Sequence, residues 1–388
     1  MSAGRTTRVV IASRLFAPEV GAAAFRLKAL ADGLAAEGAQ VHVITTKAPS
    51  GETLAHVPYR ISRWPVLRDA GGNVRGYVQY LSYDVPAFFR VLLSGADIVV
   101  SEPPPTTGLV IAVSSLLRRR PFFYYAADVW SEALEAMKVP GMVIKVMRAV
   151  EGFVLRRASG VLAVSDAIAA QVAKFGVPED QITVVGNGVA TDNFSLDGPS
   201  GASESDPYFV YTGTMSEWQG AEIFIRALPE VLAEYPSLKI RFFGQGTDED
   251  HLQNLAEELA PGAVEFGGVV PPQQAAAWIR GAAAALVSIK PGQGYDFAKP
   301  TKIYAAAACG TEVIFAGQGE GAELVASNGL GRRTEYAPAA VAEAMKQALS
   351  NPSSMEQRVS RAHWVAENAS LEASGRVAAR RVLSTHDR

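Results

Sequence analysis

The chain has 388 residues, of which 48% are hydrophobic and 19% charged, a composition that is ordinary for globular proteins and sufficient for two separate cores. The formal net charge of −3 provides no overall attraction to nucleic acid, and the single cysteine, Cys309, excludes an internal disulfide framework. The sequence has neither a signal-peptide core nor an apolar run of membrane-spanning length, so we expect a soluble, cytoplasmic protein.

Short apolar runs alternate with longer helical segments, which is typical of parallel sheets flanked by helices. In the first half we predict strands at 8–12, 41–45, 97–101, 122–125 and 160–164, and a helix at 23–37. Residues 197–207 are rich in Gly, Ser, Pro and Asp and predict an interdomain linker. The pattern then restarts, with strands at 208–211, 239–243, 264–266, 284–288 and 312–316 and helices at 221–234, 251–259, 272–280, 301–309, 337–349 and 370–383. Doubly wound sheets of this kind bind ligands beyond the carboxyl ends of their strands.

Three glycines lie between a predicted strand and a predicted helix: Gly21, Gly213 and Gly246. A glycine at such a position lets the backbone approach a ligand, and the following helix N-terminus favours anions. The alternative is that each glycine serves only a tight turn, but three at equivalent positions favour ligand binding.

The segment from Lys299 to Lys302 gives the sharpest local signal. Thr301 is predicted to cap the helix that follows, and Pro300 fixes the backbone before it. Lys302 then lies in the first helical turn, where a cation is unfavourable unless an anion offsets it. The segment therefore predicts a phosphate-facing loop, with a solvated lysine on an exposed turn as the alternative.

A glycine-rich segment that contains Gly319, Glu320 and Glu323 follows the last predicted strand. Its backbone N–H groups are suited to phosphate, and Glu323 is suited to accept a hydrogen bond from a ribose hydroxyl. The alternative is a solvated loop.

Two carboxylates and a tryptophan, Asp128, Glu132 and Trp130, follow the strand at 122–125. At a strand end they suit hydroxyl recognition or proton acceptance, whereas the alternative is an N-cap aspartate with a packing tryptophan. Asn187 lies between two glycines and is either a turn residue or a ligand contact.

No metal or cofactor motif is recognisable, because the five histidines lack metal-ligand spacing and the chain has no Walker loop or nucleophile elbow. Two basic segments, residues 142–157 and 118–120, are suited to anionic lipid headgroups. The alternative for 142–157 is a helix docked on its own domain with a solvated basic edge.

Taken together, these motifs resemble those of the family 4 glycosyltransferases of the GT-B fold over nearly the whole chain. The 128–132 and 299–302 segments resemble the Asp-Leu-Trp-Pro-Glu and Pro-Ser-Lys motifs of a subgroup that builds bacterial surface polysaccharides. Three further segments are similar to the family's opening loop, Asn-Gly turn and first donor loop, namely 16–26, 185–189 and 211–220.

The resemblance implies an α/β GT-B fold, in which two Rossmann-like doubly wound domains face each other across a cleft. Residues 1–196 would form the acceptor domain, 197–207 the linker and 208–369 the nucleotide-sugar domain, with a final helix at about 370–388 packing back on the first domain. The implied reaction is a retaining, metal-independent hexosyl or N-acetylhexosaminyl transfer. The donor would be a UDP-sugar rather than a GDP-sugar, and the acceptor a glycan or lipid-linked sugar in surface polysaccharide or glycoconjugate synthesis.

Each site residue takes an expected role from this resemblance. Asp128 would orient the acceptor, and Lys302 would offset the leaving diphosphate, helped by backbone N–H groups near Gly213, Pro300 and Gly319. The expected donor site comprises Gly213, Thr214, Gln219, Gly246, Lys299, Thr301, Lys302, Gly319, Glu320 and Glu323. The expected acceptor site comprises Gly21, Arg26, Trp130, Glu132 and Asn187, with peripheral contact at the inner face of a membrane and no cofactor or nucleic-acid partner.

The sequence departs from the wider family at the positions that carry charge. Thr214 and Gln219 stand where the family has Arg and Lys, and Phe297 and Ala305 stand where it has two glutamates. We therefore expect Lys302, together with Lys299, to be the main counter-charge. These losses motivate one alternative, a catalytically silent sugar-nucleotide-binding partner. A further alternative is a UDP-amino-sugar epimerase on a similar scaffold, but such enzymes need several acid/base groups in the cleft and this sequence offers few.

Overall fold

The structure, a computed structural model, describes residues 6–19, 21–48, 56–69, 74, 76–131, 140–186, 188–201 and 207–385. The chain divides into two compact units, with the first ending at 187 and resuming at 371, and the second spanning Gly188–Ser370. Residues 188–196, which the sequence assigned to the first domain, belong to the second unit. Val189 donates its N–H to the carbonyl of Ala369 at 2.8 Å, and Val189 and Phe194 pack with the core of that unit.

The described strands of the first unit form one parallel sheet in the order β3-β2-β1-β4-β5-β6-β7. They are β1 Arg8–Ala12, β2 Gln40–Thr46, β3 Arg60–Trp64, β4 Ile98–Ser101, β5 Phe122–Ala126, β6 Gly160–Ala163 and β7 Ile182–Val184. Strands β1, β4, β5 and β6 are buried almost throughout, as expected for strands covered by helices on both faces.

Helices cover both faces of this sheet. In chain order they are α1 Ala22–Ala36, α2 Tyr77–Leu92, α3 Pro105–Leu117, α4 Gly141–Arg157, α5 Asp166–Ala173 and, at the end of the chain, α13 Leu371–Leu383. On one face α13 packs on α1, and on the other face α2 packs on α3 and α3 on α4. Two glycines allow the close contact of α1 and α13, because a Cβ on Gly375 would lie 2.3 Å from the Ala29 carbonyl oxygen and one on Gly33 2.7 Å from that of Gly375.

The described strands of the second unit also form one parallel sheet, in the order β10-β9-β8-β11-β12-β13. They are β8 Tyr208–Thr212, β9 Lys239–Phe243, β10 Val264–Phe266, β11 Ala284–Ser288, β12 Val313–Ala316 and β13 Gly331–Thr334. The helices are α6 Glu222–Leu232, α7 Glu249–Leu259, α8 Pro272–Gly281, α9 Thr301–Ala308, α10 Glu320–Ser327, α11 Pro338–Ser350 and α12 Met355–Asn368. Each unit thus has the doubly wound, Rossmann-like order, in which the strand sequence reverses beside its first strand.

The predicted strands are confirmed to within one or two residues, whereas several elements were missed. Strand β3 was missed because it is a half-buried edge strand that pairs only with β2 among the described strands, so its apolar content is low. Helix α2 was missed because its exposed residues are apolar and its polar residues, such as the buried Asp84, lie on the other side, which is the reverse of the usual pattern of a surface helix.

Candidate active site

A cavity of about 520 Å³ opens in the second unit, at the carboxyl ends of β8 and β9. The N-terminal ends of α8 and α9 complete its wall. This is the edge of the sheet at which doubly wound folds bind ligands. The structure brings five of the predicted donor residues together in its lining, namely Gly213, Thr214, Gln219, Thr301 and Lys302.

Lys302 projects from the first turn of α9 into this cavity. Its Nζ lies 3.7 Å from the centre of the Tyr211 ring and 3.4 Å from the Thr214 carbonyl oxygen. Among the residues that the structure describes, no carboxylate forms an ion pair with it. Because these contacts replace water without supplying a counter-charge, desolvation lowers the pKa of Lys302 to about 7.

The N-terminus of α9 differs in one respect from the sequence prediction. Thr301 was predicted to cap the helix, but the residue at the N-cap is Pro300 and no side chain caps the first turn. Proline cannot donate from its own nitrogen, and its fixed φ suits the start of a helix, so Thr301 becomes the first helical residue. The Ile303 N–H donates to the Pro300 carbonyl at 3.0 Å, and the N-terminus of a helix carries partial positive charge, which here lies at the cavity wall formed by Thr301 and Lys302.

The loop after β8 is held by close backbone contacts to the loop after β9. The Gly213 N–H donates to the Phe243 carbonyl at 2.8 Å, so this N–H is occupied, contrary to the expectation that it helps to bind phosphate. A Cβ on Gly244 would lie 1.9 Å from the Gly213 carbonyl oxygen, and one on Gly246 1.9 Å from that of Met215. Gly246 therefore has a packing role in the structure and does not line the cavity.

Thr214 and Gln219, which the sequence resemblance placed at the family's cationic positions, both contact the Tyr211 hydroxyl. The Tyr211 hydroxyl lies 2.9 Å from the Thr214 carbonyl oxygen and 3.0 Å from Gln219 Oε1. Gln219 is buried, whereas Thr214 keeps an exposed side chain. Neither residue carries charge, so Lys302 is the cation among the residues that line the cavity.

An aromatic group that sequence reasoning missed borders the cavity. Trp218 lines it and stacks on Tyr295, with ring centres 4.5 Å apart. Phe297 approaches Tyr295 with ring centres 6.4 Å apart, and both side chains remain partly exposed. The signal in the sequence was the position of these three aromatic residues: Trp218 lies in the 211–220 segment, and Tyr295 and Phe297 lie just before the 299–302 segment.

Four other predicted donor residues do not line the cavity. Lys299 and Glu320 form an ion pair at 2.8 Å, and Glu323 forms one with Arg333 on the exposed surface. Gly319 packs against the backbone of the preceding loop, because a Cβ there would lie 2.0 Å from the Asp296 carbonyl oxygen. The charges of Lys299, Glu320 and Glu323 are therefore paired with neighbouring side chains, and these residues do not line the cavity.

In the first unit, predicted acceptor residues gather at the carboxyl ends of β1, β4 and β5. Arg26 on α1 is buried and lies 5.8 Å from the Tyr125 ring, and its Nε has no hydrogen-bond partner among the described residues. Loss of hydration raises the pKa of Asp128, although part of its side chain stays exposed, and the charge of Arg26 opposes this rise. Gly21 lies at the N-cap of α1, where its extended φ of 170° suits any residue.

Glu102, directly after β4, is a residue of this group that the sequence analysis missed. Its buried carboxylate accepts a hydrogen bond from the Ser13 hydroxyl at 2.5 Å. Burial raises the pKa of Glu102, while the Ser13 hydrogen bond and the charge of Arg26 lower it. A polar residue immediately after a buried strand was the signal that could have identified it.

Trp130 contacts Tyr80 edge to face, with ring centres 6.1 Å apart. The backbone N–H of Trp130 donates to the Glu151 carboxylate at 2.8 Å. Glu132 and Asn187 lie outside the described residues. Across the described ranges, no three His, Cys, Asp or Glu side chains are grouped so as to hold a metal ion, and no helix is long and apolar enough to cross a membrane.

Two doubly wound, Rossmann-like units in one chain match the architecture of the GT-B fold. The sequence matches the Glycosyl transferase 4-like domain over residues 21–188 and the Glycosyl transferases group 1 domain over residues 206–351. The chain therefore belongs to the family 4 glycosyltransferases. No curated protein matches it in sequence.

Solved structures share this fold at low sequence identity. Anabaena HepE in complex with UDP has a TM-score of 0.64 at 16% identity, covering 98% of this chain and 100% of that one. A glycosyltransferase from Rickettsia africae has a TM-score of 0.65 at 14% identity, with 98% of both chains covered. WaaG, a glycosyltransferase involved in lipopolysaccharide biosynthesis, has a TM-score of 0.61 at 18% identity, covering 96% of this chain and 99% of that one.

Proposed function

We propose that the cavity of the second unit binds the diphosphate of a UDP-sugar, in preference to a GDP-sugar, and that the chain transfers the sugar with retention of configuration and without a metal ion. The observation that carries the proposal is Lys302, a cation without a carboxylate partner among the described residues, at the N-terminus of α9. Complexes of the similarly folded HepE with UDP and with UDP-glucose support this choice of donor.

The chemistry requires stabilisation of a leaving group. The bond between the sugar C1 and the diphosphate oxygen breaks, a bond from C1 to an acceptor oxygen forms on the same face, and the acceptor hydroxyl passes its proton to the departing diphosphate oxygen. Negative charge grows on the departing UDP, so a cation held in a partly dry site stabilises the transition state more than the ground state. Lys302 and the first-turn N–H groups of α9 supply that stabilisation at no cost of reorganisation.

The remaining donor residues take supporting roles in the proposal. Thr214 and Gln219 offer neutral polar groups to the donor beside Lys302. Lys299 and Glu320 would have to exchange their ion pair for donor contacts, and Glu323 would have to leave Arg333 to reach a donor hydroxyl.

We further propose that the first unit binds the acceptor, a hexose-containing glycan or lipid-linked sugar. Asp128 would orient the acceptor hydroxyl, with Gly21, Arg26 and Trp130 nearby and with Glu132 and Asn187 in the same role. The neighbouring Arg26 charge and the buried Glu102 carboxylate hold a polar environment at this strand edge. The similarity of fold to WaaG, a glycosyltransferase involved in lipopolysaccharide biosynthesis, supports a place in surface polysaccharide or glycoconjugate synthesis. The proposed location is the cytoplasm, at the inner face of the membrane.

The test is turnover of a UDP-sugar panel by the Lys302→Met variant. We expect kcat/KM to fall at least about a hundredfold, the loss typical of one preorganised charge contact in an active site. Lys239→Met is the matched control, because Lys239 is a lysine of the same unit that lies outside the cavity and pairs with Glu265. Unchanged turnover in Lys302→Met, with Lys239→Met equally active, would remove the basis of the proposal.

A further inference from the structure

The outer surface of α2, α3 and α4 carries an unusual distribution of side chains. On α2 every exposed residue is apolar, and the helix is followed by the exposed Leu93. The exposed fractions of this stripe lie between 52% and 81% for Tyr77, Val78, Leu81, Val85, Phe89 and Leu93. The spacing of four residues from Leu81 to Leu93 places them along one side of the helix.

The apolar stripe continues on the neighbouring helices. Helix α3 packs on α2 and exposes Leu116 and Leu117 at its end, and α4 packs on α3 and exposes Met142 and Val146. The Arg120 side chain donates to the Val91 carbonyl at 2.6 Å, which fixes the end of α3 beside the end of α2. The three helices therefore pack side by side on this face of the sheet, and each of them exposes apolar residues.

The charges on this outer surface all have one sign. Exposed cations lie beside the apolar residues, among them Lys145 and Arg157 on α4 and Arg118 directly after α3. The carboxylates of the three helices are both buried: Asp84 accepts from the Thr107 hydroxyl at 2.6 Å, and Glu151 accepts from two backbone N–H groups. No exposed residue of α2, α3 or α4, all of them within the described ranges, is acidic or neutral polar.

We infer that this surface docks the protein on an anionic phospholipid surface. Apolar side chains enter the boundary between headgroups and acyl chains, while lysine and arginine contact lipid phosphates. A protein partner is less well matched, because protein interfaces surround their apolar core with polar groups of both signs and with hydrogen bonds. The inference deepens the proposed membrane location, and it does not depend on the chemistry of the donor cavity.

Flotation of the full chain with vesicles tests this surface. We compare vesicles of phosphatidylcholine with 30 mol% phosphatidylglycerol against pure phosphatidylcholine, and expect binding to the anionic vesicles that weakens at high salt. Leu81→Gln/Val85→Gln should weaken binding about tenfold or more through lost apolar insertion. Arg118→Gln/Lys145→Gln should weaken it about twenty-five-fold, since each cation near an anionic surface contributes about fivefold.

The matched control is Met355→Gln/Val359→Gln on α12. These two residues are also apolar, exposed and four positions apart, but lie in the other unit. Vesicle binding of this control should equal that of the unmodified chain. The far-ultraviolet circular dichroism spectra and melting temperatures of all variants should match those of the unmodified chain, which shows that they fold. Equal binding by the stripe and control variants, or no binding by the unmodified chain, would overturn the inference. A dimer in sedimentation velocity that is lost in Leu81→Gln/Val85→Gln would do so too, because the surface would then bind a second copy.

Discussion

The pKa of Lys302 makes donor affinity depend on pH in a defined direction. In the free protein this pKa lies at about 7, far below the ordinary lysine value of 10.5. A bound diphosphate brings two negative charges beside the ammonium and should raise the pKa by about 1 to 3 units. If the donor diphosphate binds beside Lys302 as proposed, donor binding should be coupled to proton uptake at Lys302, and the protonated protein should be the form that binds.

The size of the effect follows from the fraction of Lys302 that is charged before binding. With a pKa of about 7, that fraction is about 90% at pH 6 and about 10% at pH 8. The apparent dissociation constant rises as this fraction falls, so UDP-glucose should bind about tenfold more weakly at pH 8 than at pH 6. At pH 7 binding should take up about half a proton.

Isothermal titration calorimetry measures both quantities. UDP-glucose is the suitable ligand because both of its phosphates are esterified, so its own charge is constant between pH 6 and 8. Repeating the titration in buffers of different ionisation enthalpy gives the proton uptake. Without donor, the folded state holds fewer protons than the unfolded chain between the two pKa values, so its stability should rise with pH across that window.

Two variants separate this cause from others. Lys302→Arg keeps a permanent charge, so its affinity should be independent of pH, and Lys302→Met should bind weakly at every pH. A flat profile for the unmodified chain would refute the coupling. The same slope in Lys302→Arg would assign the pH dependence to another group.

Three further predictions concern other parts of the site. Thr214→Arg places a cation on the cavity wall, at the position where the wider family is expected to carry one. In a Lys302→Met background it should restore UDP-glucose affinity at least about tenfold, as measured by calorimetry. No recovery would mean that Thr214 is not near the diphosphate. Gly244→Ala should lower the free energy of unfolding in urea by about 2 kcal/mol or more, because its Cβ would meet a backbone oxygen. Gly262→Ala, also at positive φ but in open space, should lower it by about 1 kcal/mol. Equal losses would contradict the close packing of the loops after β8 and β9. Asp128→Asn should lower kcat at least about tenfold at saturating donor without changing donor affinity, and a change in donor affinity alone would contradict its acceptor role.

The sequence predicted the fold well because buried parallel strands are nearly continuous apolar runs. Strand β11, for example, is buried at every residue, and all of its residues before the final Ser288 are apolar. It predicted the cavity wall around Lys302 because a cation in the first turn of a helix conflicts with the helix dipole, and such conflicts occur at functional sites.

The sequence did not identify pairing between surface charges. Glu323 was expected at the donor, but the ion pair with Arg333 depends on the register of β12 and β13, which no local pattern encodes. Likewise the sequence did not predict the apolar stripe of α2. A surface helix is usually recognised by polar residues on its exposed side, and the exposed residues of α2 are apolar. Gly246 was misinterpreted because a glycine that contacts a ligand and one that contacts a neighbouring loop follow the same sequence pattern.

The position of UDP in a crystal structure of its complex with this chain tests the central claim most directly. The diphosphate should lie in the cavity at the carboxyl ends of β8 and β9, with an oxygen about 3 Å from Lys302 Nζ and others facing the N-terminus of α9. A diphosphate bound in the cavity beyond reach of Lys302, or UDP bound elsewhere on the chain, would contradict the account.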